Sequence, residues 1–585
     1  MAYSRFILLS IRNYVFHTKP KLRFLSTTRP IYYESVSQHA NNVALIDHSS
    51  SYTYGQLYSV ARKLSRRLVP LCQQQQQQKS TDDTHDKSSV QLGVLCPNDA
   101  SFIVAMWASW MVGATVVPLS LQHPPASLAY FLNDAKCRGV IVGDDRGNDL
   151  IKTTLENNSQ IDIPIVNIHK KNLSTKVTPE DINDDLLLST TIDRTERSNA
   201  LIIYTSGTSG KPKGCVLTFD AVQAHVDSMI KAWRWTKDDV ILHVLPLHHV
   251  HGLINALLTP LFIGATIIML PHFDASKSWE HLVQPGFDKH ITVFTAVPTI
   301  YSKLIYDYDA KLASRPQTRD FVREQCSQMI RLMMCGSAAL PESIYRRWYE
   351  ISGHSLLERY GMTECGMALT NPLDGERIPG TVGRPMPGVV VRIVRENTTS
   401  PTGYETLVEA DSDNTKVEIK NTDEPIEGEL LIQSPTLFKE YWRKRKETRA
   451  TFTVDGSFFK TGDICRYDSE KNVFSIRGRQ SMDIIKRAGY KISALDIERI
   501  LLEHKDILEC SVVGIDDPAL GQKIVAIIVP KSLNNISNLT IDTIRQYSKQ
   551  YLPNYSLPDS ITILDHIPRN AMGKVNKKEL ARLAV

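Results

Sequence analysis

Directly after the apolar Leu201-Ile202-Ile203, the run Tyr204-Thr205-Ser206-Gly207-Thr208-Ser209-Gly210-Lys211-Pro212-Lys213-Gly214 combines three glycines, four aliphatic hydroxyls and two lysines. Glycines let backbone amides turn toward an anion, the hydroxyls add short donors, and the lysines bring charge. The chemistry this serves is phosphate binding, with a nucleotide as the expected ligand. It is not the G-x-x-x-x-G-K-[ST] loop, because Pro212 stands five positions beyond Gly207. A flexible Ser/Thr/Gly surface loop is the competing reading, and Lys-Pro-Lys-Gly makes the run less random than a linker.

Further stretches carry chemistry at wider spacing. His248-His249-Val250-His251-Gly252 offers three imidazoles. No further cysteine or carboxylate is spaced to complete a metal site, so a pocket wall is expected rather than a metal. Gly336-Ser337-Ala338 follows the apolar Leu332-Met333-Met334, and its small residues let backbone lie against a flat ring. Glu358-Arg359-Tyr360-Gly361-Met362-Thr363-Glu364 groups an aromatic, a turn glycine, a hydroxyl and carboxylates, suited to base stacking, an α-phosphate contact and magnesium. Taken alone it reads equally well as a helix start. Phe459-Lys460-Thr461-Gly462-Asp463 offers a carboxylate on a tight turn, able to accept two hydrogen bonds from a ribose diol. Gly478 to Lys491 is a glycine- and charge-rich link, and Pro568 to Lys574 is a turn presenting a lysine. Each of these, alone, also reads as a surface turn.

The elements that must position these residues alternate. Short apolar strands at 140–142, 200–203, 240–244, 266–269, 293–296 and 332–334 are separated by amphipathic helical segments, predicting α/β layering with a largely parallel core. Strands are also expected at 389–394 and 429–433, with the polar stretch 396–421 decorating them. Near Gly478 the chain starts again, with helices expected at 498–503 and 541–551 and strands at 509–515 and 523–529. The expected organisation is a large multi-subdomain α/β domain over 29–477, interrupted by a polar Gln-rich insert at 73–88, then a small mobile α+β domain over 478–585. The charge-free stretch Ser101 to Leu121 is long enough to span a membrane, but its Gly-Ala break, β-branched run and Pro118 predict a buried helix turning into a buried strand.

A net charge of +5 over 585 residues gives no reason to expect nucleic acid as a partner. Nine scattered cysteines form no C-x-x-C pair and read as reduced thiols. Six basic residues precede the first acidic one, Glu34, with apolar and hydroxyl residues between them. That is the composition of a mitochondrial transit peptide, placed at 1–28, and it implies the import and processing machinery as partners. A disordered basic arm is the alternative.

In this order the motifs resemble those of the adenylate-forming superfamily that includes the acyl-CoA synthetases, over nearly everything after the leader. The resemblance implies ATP, Mg²⁺ and CoA. It assigns Thr205, Ser206, Gly207, Thr208, Ser209, Gly210 and Lys213 to the ATP phosphates. Adenine would lie between Tyr360 with Gly361 and the Gly336-Ser337-Ala338 turn. Thr363 would serve the α-phosphate, Glu364 the magnesium ion, and Asp463 with Arg479 the ribose. Lys574 would bridge carboxylate and phosphate during adenylation, Ser481 stands at the hinge where many members carry Asp or Lys, and Gly489 would line a pantetheine channel after the small domain rotates. Ser209 replaces a threonine common in the loop and keeps its hydroxyl.

The acid is expected from Arg359, which occupies a position where relatives taking apolar acids have a small residue. An unpaired arginine beside an alkyl chain would cost several kcal/mol, whereas it can pair a second carboxylate. Together with the resemblance of the whole chain, this implies a short dicarboxylate as the expected substrate, malonate first and methylmalonate second, with His249 and His251 walling the acyl site. The expected product is a CoA thioester, formed with AMP and pyrophosphate in the mitochondrial matrix. A structural ion pair for Arg359, a different short- or medium-chain acid, and a nucleotide-binding pseudoenzyme sensing acyl-CoA are the competing readings.

Overall fold

The computed structural model describes residues 31–73, 90–168, 198–205, 211–283, 289–397, 399–400, 403–418, 426–479, 483–488, 490–569 and 575–584. The leader, the Gln-rich insert beyond Gln73, Ser206 to Gly210, Ser481, Gly489 and Lys574 lie outside them.

Two large, mainly parallel sheets dominate the described residues. The seven-stranded sheet runs, by strand, Glu440–Tyr441, Lys213–Thr218, Asn199–Thr205, Thr115–Pro118, Gln91–Leu95, Gly139–Val142, Ile165–Asn167. The nine-stranded sheet has a parallel centre ordered Leu357–Met362, Leu332–Cys335, Val293–Ala296, Val240–His243, Thr266–Met269, Val43–Ile46. The strands Leu332–Cys335, Val293–Ala296 and Thr266–Met269 are short, apolar and buried throughout, as strands covered on both faces must be. Every residue of the helix Ala100–Met111 is buried. Asp99 caps it by accepting from Ser101 N at 2.9 Å, and Trp110 Nε1 donates to Ala200 O at 3.0 Å. The charge-free stretch is thus a core helix followed by the core strand Thr115–Pro118, as its sequence predicts. No helix among the described residues is long and apolar enough to cross a membrane.

A six-stranded antiparallel sheet follows, and two of its strands, Tyr404–Ala410 and Thr415–Val417, are built from the polar stretch expected only to decorate it. Pairing on one open face of an antiparallel sheet does not require an apolar run. The chain ends in an α+β unit. Its strand Gly521–Pro530 pairs antiparallel with Ile507–Asp517 and parallel with Ser560–Ile563, and the helices Ala494–Leu502 and Ile541–Ser548 pack on this sheet.

Candidate active site

Four neighbouring parallel strands of the large sheet end at the same edge, and ligands in open α/β sheets bind outside such carboxyl ends. Val240–His243 leads into the histidine loop, and Val293–Ala296 carries Thr295 near its end. Leu332–Cys335 leads into Gly336-Ser337, and Leu357–Met362 carries Glu358, Arg359 and Tyr360. The last segment is a strand that turns at Thr363 and Glu364 into the antiparallel strand Gly366–Thr370, so the helix-start reading of Glu358 to Glu364 is wrong. Strand alternation sends Tyr360 and Arg359 to opposite faces. The apolar run after His249 is a π-helix, His251–Leu258, not an α-helix.

On the Tyr360 face lies a polar network drawn from all three sheets. Tyr360 donates its hydroxyl to Asp463 Oδ2 at 2.5 Å, and Arg479 Nε donates to Asp463 Oδ1 at 3.1 Å. Asp463 and Arg479 are cross-strand partners. Asp463 thus sits within the strand Phe459–Asp468, where Gly462 takes a φ of 70° beside a register shift, and not on the tight turn expected for it. Burial pushes the Asp463 carboxyl up, and the nearby Arg479 guanidinium opposes this. Glu364, also buried, accepts from the Tyr441 hydroxyl at 2.9 Å, and Lys213 Nζ lies 4.9 Å from the centre of the Tyr441 ring. Thr205 and Lys213 are paired residues of one hairpin. Tyr441 therefore ties the phosphate-type hairpin to the Glu364 turn. No motif announces it, because its role comes from the edge strand Glu440–Tyr441 pairing with Lys213–Thr218.

On the Arg359 face the surroundings change. Arg359 is 3% exposed, and its Nε and Nη2 have no hydrogen-bond partner among the described residues. Burial lowers its pKa to about 10, which leaves it charged at neutral pH. Cys335 and Tyr301, the titratable groups that act on it, are held neutral by their own burial. Among the described residues no acid pairs with it, so the structural ion pair is not found there. The guanidinium lies against Gly336, where an added Cβ would come within 2.2 Å of Nη1. Ser337 follows with a φ of 69°. His251 is buried, with Nδ1 3.1 Å from Ser337 Oγ and Nε2 2.8 Å from Thr295 Oγ1. His249 is half-buried, its ring 4.2 Å from His248, which stands 4.9 Å from His123. Thus His251 is built into the wall beside Arg359, and His249 lies one layer away with the other imidazoles. Among the described residues no group of His, Cys, Asp or Glu is arranged to hold a metal ion without a further ligand.

The C-terminal unit closes on this region. Arg477 forms a two-pronged ion pair with Asp496, and Ser493 Oγ donates to Arg477 O at 2.5 Å. Arg499 lies over Gly380, whose amide donates to Glu358 Oε1 at 2.8 Å. Beside Ser481, Asp483 N donates to Arg479 O at 2.8 Å and Arg479 N to Asp483 Oδ2 at 3.0 Å. Buried Lys577 then anchors Asp483 at 2.6 Å and Glu498 at 2.7 Å. Sequence reasoning passed over Lys577, which is one of several lysines near the terminus.

A fold of this kind, with carboxylates, cations and a small C-terminal unit at the sheet edge, belongs to the enzymes that activate acids with ATP. The chain is a member of the AMP-binding enzyme family, whose model matches residues 32–442, with the family's C-terminal domain matching 496–574. It is 43% identical to the mitochondrial malonate–CoA ligase of Bos taurus over 93% of this chain and 88% of that protein. It is 36% identical to the malonate–CoA ligase of Arabidopsis thaliana, over 94% and 87% respectively. Among solved structures, ATP-bound MatB from Rhodopseudomonas palustris aligns with a TM-score of 0.75 at 26% identity, covering 95% of this chain and 98% of that one. A malonyl-CoA ligase carrying methylmalonyl-CoA and AMP aligns with a TM-score of 0.59 at 30% identity, covering 91% and 97%.

Proposed function

We propose that this protein is an ATP-dependent malonate–CoA ligase of the mitochondrial matrix that also accepts methylmalonate, forming an acyl-adenylate and then the CoA thioester. The observation that carries the reading is Arg359, a buried cation with two guanidinium nitrogens that have no hydrogen-bond partner among the described residues. A dicarboxylate supplies the missing anion with one carboxylate and leaves the other to react. The similarity to malonate–CoA ligases supports the same substrate.

One carboxylate oxygen attacks the α-phosphorus of ATP and the bond to pyrophosphate breaks. The protein's share is alignment and charge neutralisation, with no protein nucleophile. Thr205 to Gly210 and Lys213 grip the phosphates, and Thr363 contacts the α-phosphate. Tyr360, Gly361 and the Gly336-Ser337-Ala338 turn hold adenine, while Asp463 and Arg479 hold the ribose. Glu364 is the residue that would hold Mg²⁺, since a buried carboxylate with only one oxygen engaged by Tyr441 suits a hard cation that keeps most of its ligands from phosphate and water. When bound, that ion neutralises phosphate charge. Lys574 bridges the reacting carboxylate and phosphate. A turn about Ser481 then withdraws Lys574 and brings Gly489 to the pantetheine path, where the thiol attacks the acyl carbon and AMP leaves. The leader 1–28 is removed on import, leaving the catalytic domain, 29–477, and the mobile domain, 478–585.

The test is CoA-dependent AMP formation with acetate, malonate, methylmalonate, succinate and octanoate. Malonate is expected to lead, with methylmalonate second. Octanoate outrunning malonate would refute the assignment.

A further inference from the structure

Three polar groups form a chain from the core to the exposed turn that follows Gly336, against which Arg359 packs. Thr295 Oγ1 lies at the buried end, His251 in the middle and Ser337 Oγ at the exposed end. Burial, aided by the Arg359 charge, holds the His251 ring well below its usual pKa, so the ring is neutral and has one N–H and one lone pair. One hydroxyl must therefore donate to it and the other accept from it.

The buried end decides which. Thr295 is 1% exposed, and its hydroxyl meets no other acceptor among the described residues. If the ring donated to Thr295, the Thr295 proton would be a stranded buried donor, an arrangement native structures avoid. Ser337 is exposed and carries no such penalty. Hence Thr295 donates to Nε2, the ring proton resides on Nδ1, and Nδ1–H donates to Ser337 Oγ. The Ser337 proton is left free to point outward. Ser337 takes a left-handed backbone directly after Gly336, which packs under the guanidinium, so the turn that carries the hydroxyl adjoins Arg359.

We propose that Thr295 is a positioning residue for substrate specificity: it fixes the tautomer of His251 so that Ser337 offers a donor, alongside Arg359, to a carboxylate of the acid. In the opposite tautomer Ser337 gives its proton to Nδ1 and turns only lone pairs toward the anion. This rests on Arg359 marking the dicarboxylate site.

The test compares KM for malonate and for ATP in the unmutated enzyme, Thr295→Val, Thr295→Ser, Ser337→Ala and the Thr295→Val/Ser337→Ala double variant. Loss of one hydrogen bond to a charged group predicts about a tenfold rise in malonate KM for Thr295→Val and for Ser337→Ala, with the ATP KM of Thr295→Val, a residue outside the nucleotide site, within about twofold. Thr295→Ser restores malonate KM, and Thr295→Val adds less than about twofold to Ser337→Ala, because the two act in series. An unchanged malonate KM in Thr295→Val, a parallel rise in ATP KM, or multiplication of the two single effects would overturn the proposal. Independently, ¹⁵N spectra of histidine-labelled unmutated protein should show His251 protonated at Nδ1, and protonation at Nε2 refutes the relay even if Thr295→Val fails to fold. Preference of the unmutated enzyme for a monocarboxylate would instead refute the dicarboxylate reading, leaving the tautomer result to stand by itself.

Discussion

Arg359 makes stability and function pull in opposite directions. A buried charge without a partner destabilises the empty protein, and a well-packed apolar replacement is often stabilising. Arg359→Met is therefore expected to raise the melting temperature of the ligand-free enzyme by a few degrees while removing malonate-dependent AMP formation. Thermal unfolding with and without malonate checks this, and malonate should stabilise only the unmutated protein. A lower melting temperature in Arg359→Met would mean that the arginine has a structural partner. Tyr441 gives the contrary case, since its hydroxyl satisfies Glu364 and its ring meets Lys213. Tyr441→Phe should raise the KM for ATP by about tenfold or more, the worth of one hydrogen bond to a charged group, and leave malonate KM unchanged.

The strand Leu357–Met362 is the element on which both halves of the site depend, and its alternation was hidden by composition. Glu358, Arg359 and Tyr360 are polar or amphipathic residues that read as a helix start, yet a parallel neighbour on one side and an antiparallel one on the other make them a strand. The apolar strands at 266–269 and 293–296 were legible to the residue, because burial on both faces leaves an unbroken apolar run. Asp463 and Tyr441 were not placed correctly or at all, since cross-strand pairing with distant segments leaves no local pattern. Glu358 yields a pH prediction. Burial lifts its pKa from 4.5 to about 8, with Arg499 and the Gly380 amide opposing. A carboxyl whose folded pKa is raised binds its proton more tightly in the folded state. Stability therefore falls as pH rises from about 4.5 to about 8, by an amount of the order of a few kcal/mol. Glu358→Gln should flatten that fall in melting temperature, and an unchanged slope would assign it to other groups.

At the scale of the molecule, the C-terminal unit is held by charges that the proposed rotation would have to exchange. Arg477 with Asp496 and Arg499 over Gly380 cross from one part of the chain to the other, whereas Lys577 between Asp483 and Glu498 braces the segment beside Ser481. Lys577→Met leaves two part-buried carboxylates without their shared cation and should cost about 3 kcal/mol in chemical denaturation. The two-domain organisation and the order of motifs were readable along the chain, but the docking of these charges was not, because it joins residues far apart in sequence. The central claim is that Arg359 is the counter-ion of the second carboxylate. The most direct measurement is kcat/KM for malonate and for butyrate, in the unmutated enzyme and in Arg359→Met. The prediction is a loss of at least about a thousandfold for malonate, as for removing one partner of a buried charge pair, with less than about tenfold loss for butyrate. Equal losses for the two acids, or malonate turnover that survives the substitution, would contradict it.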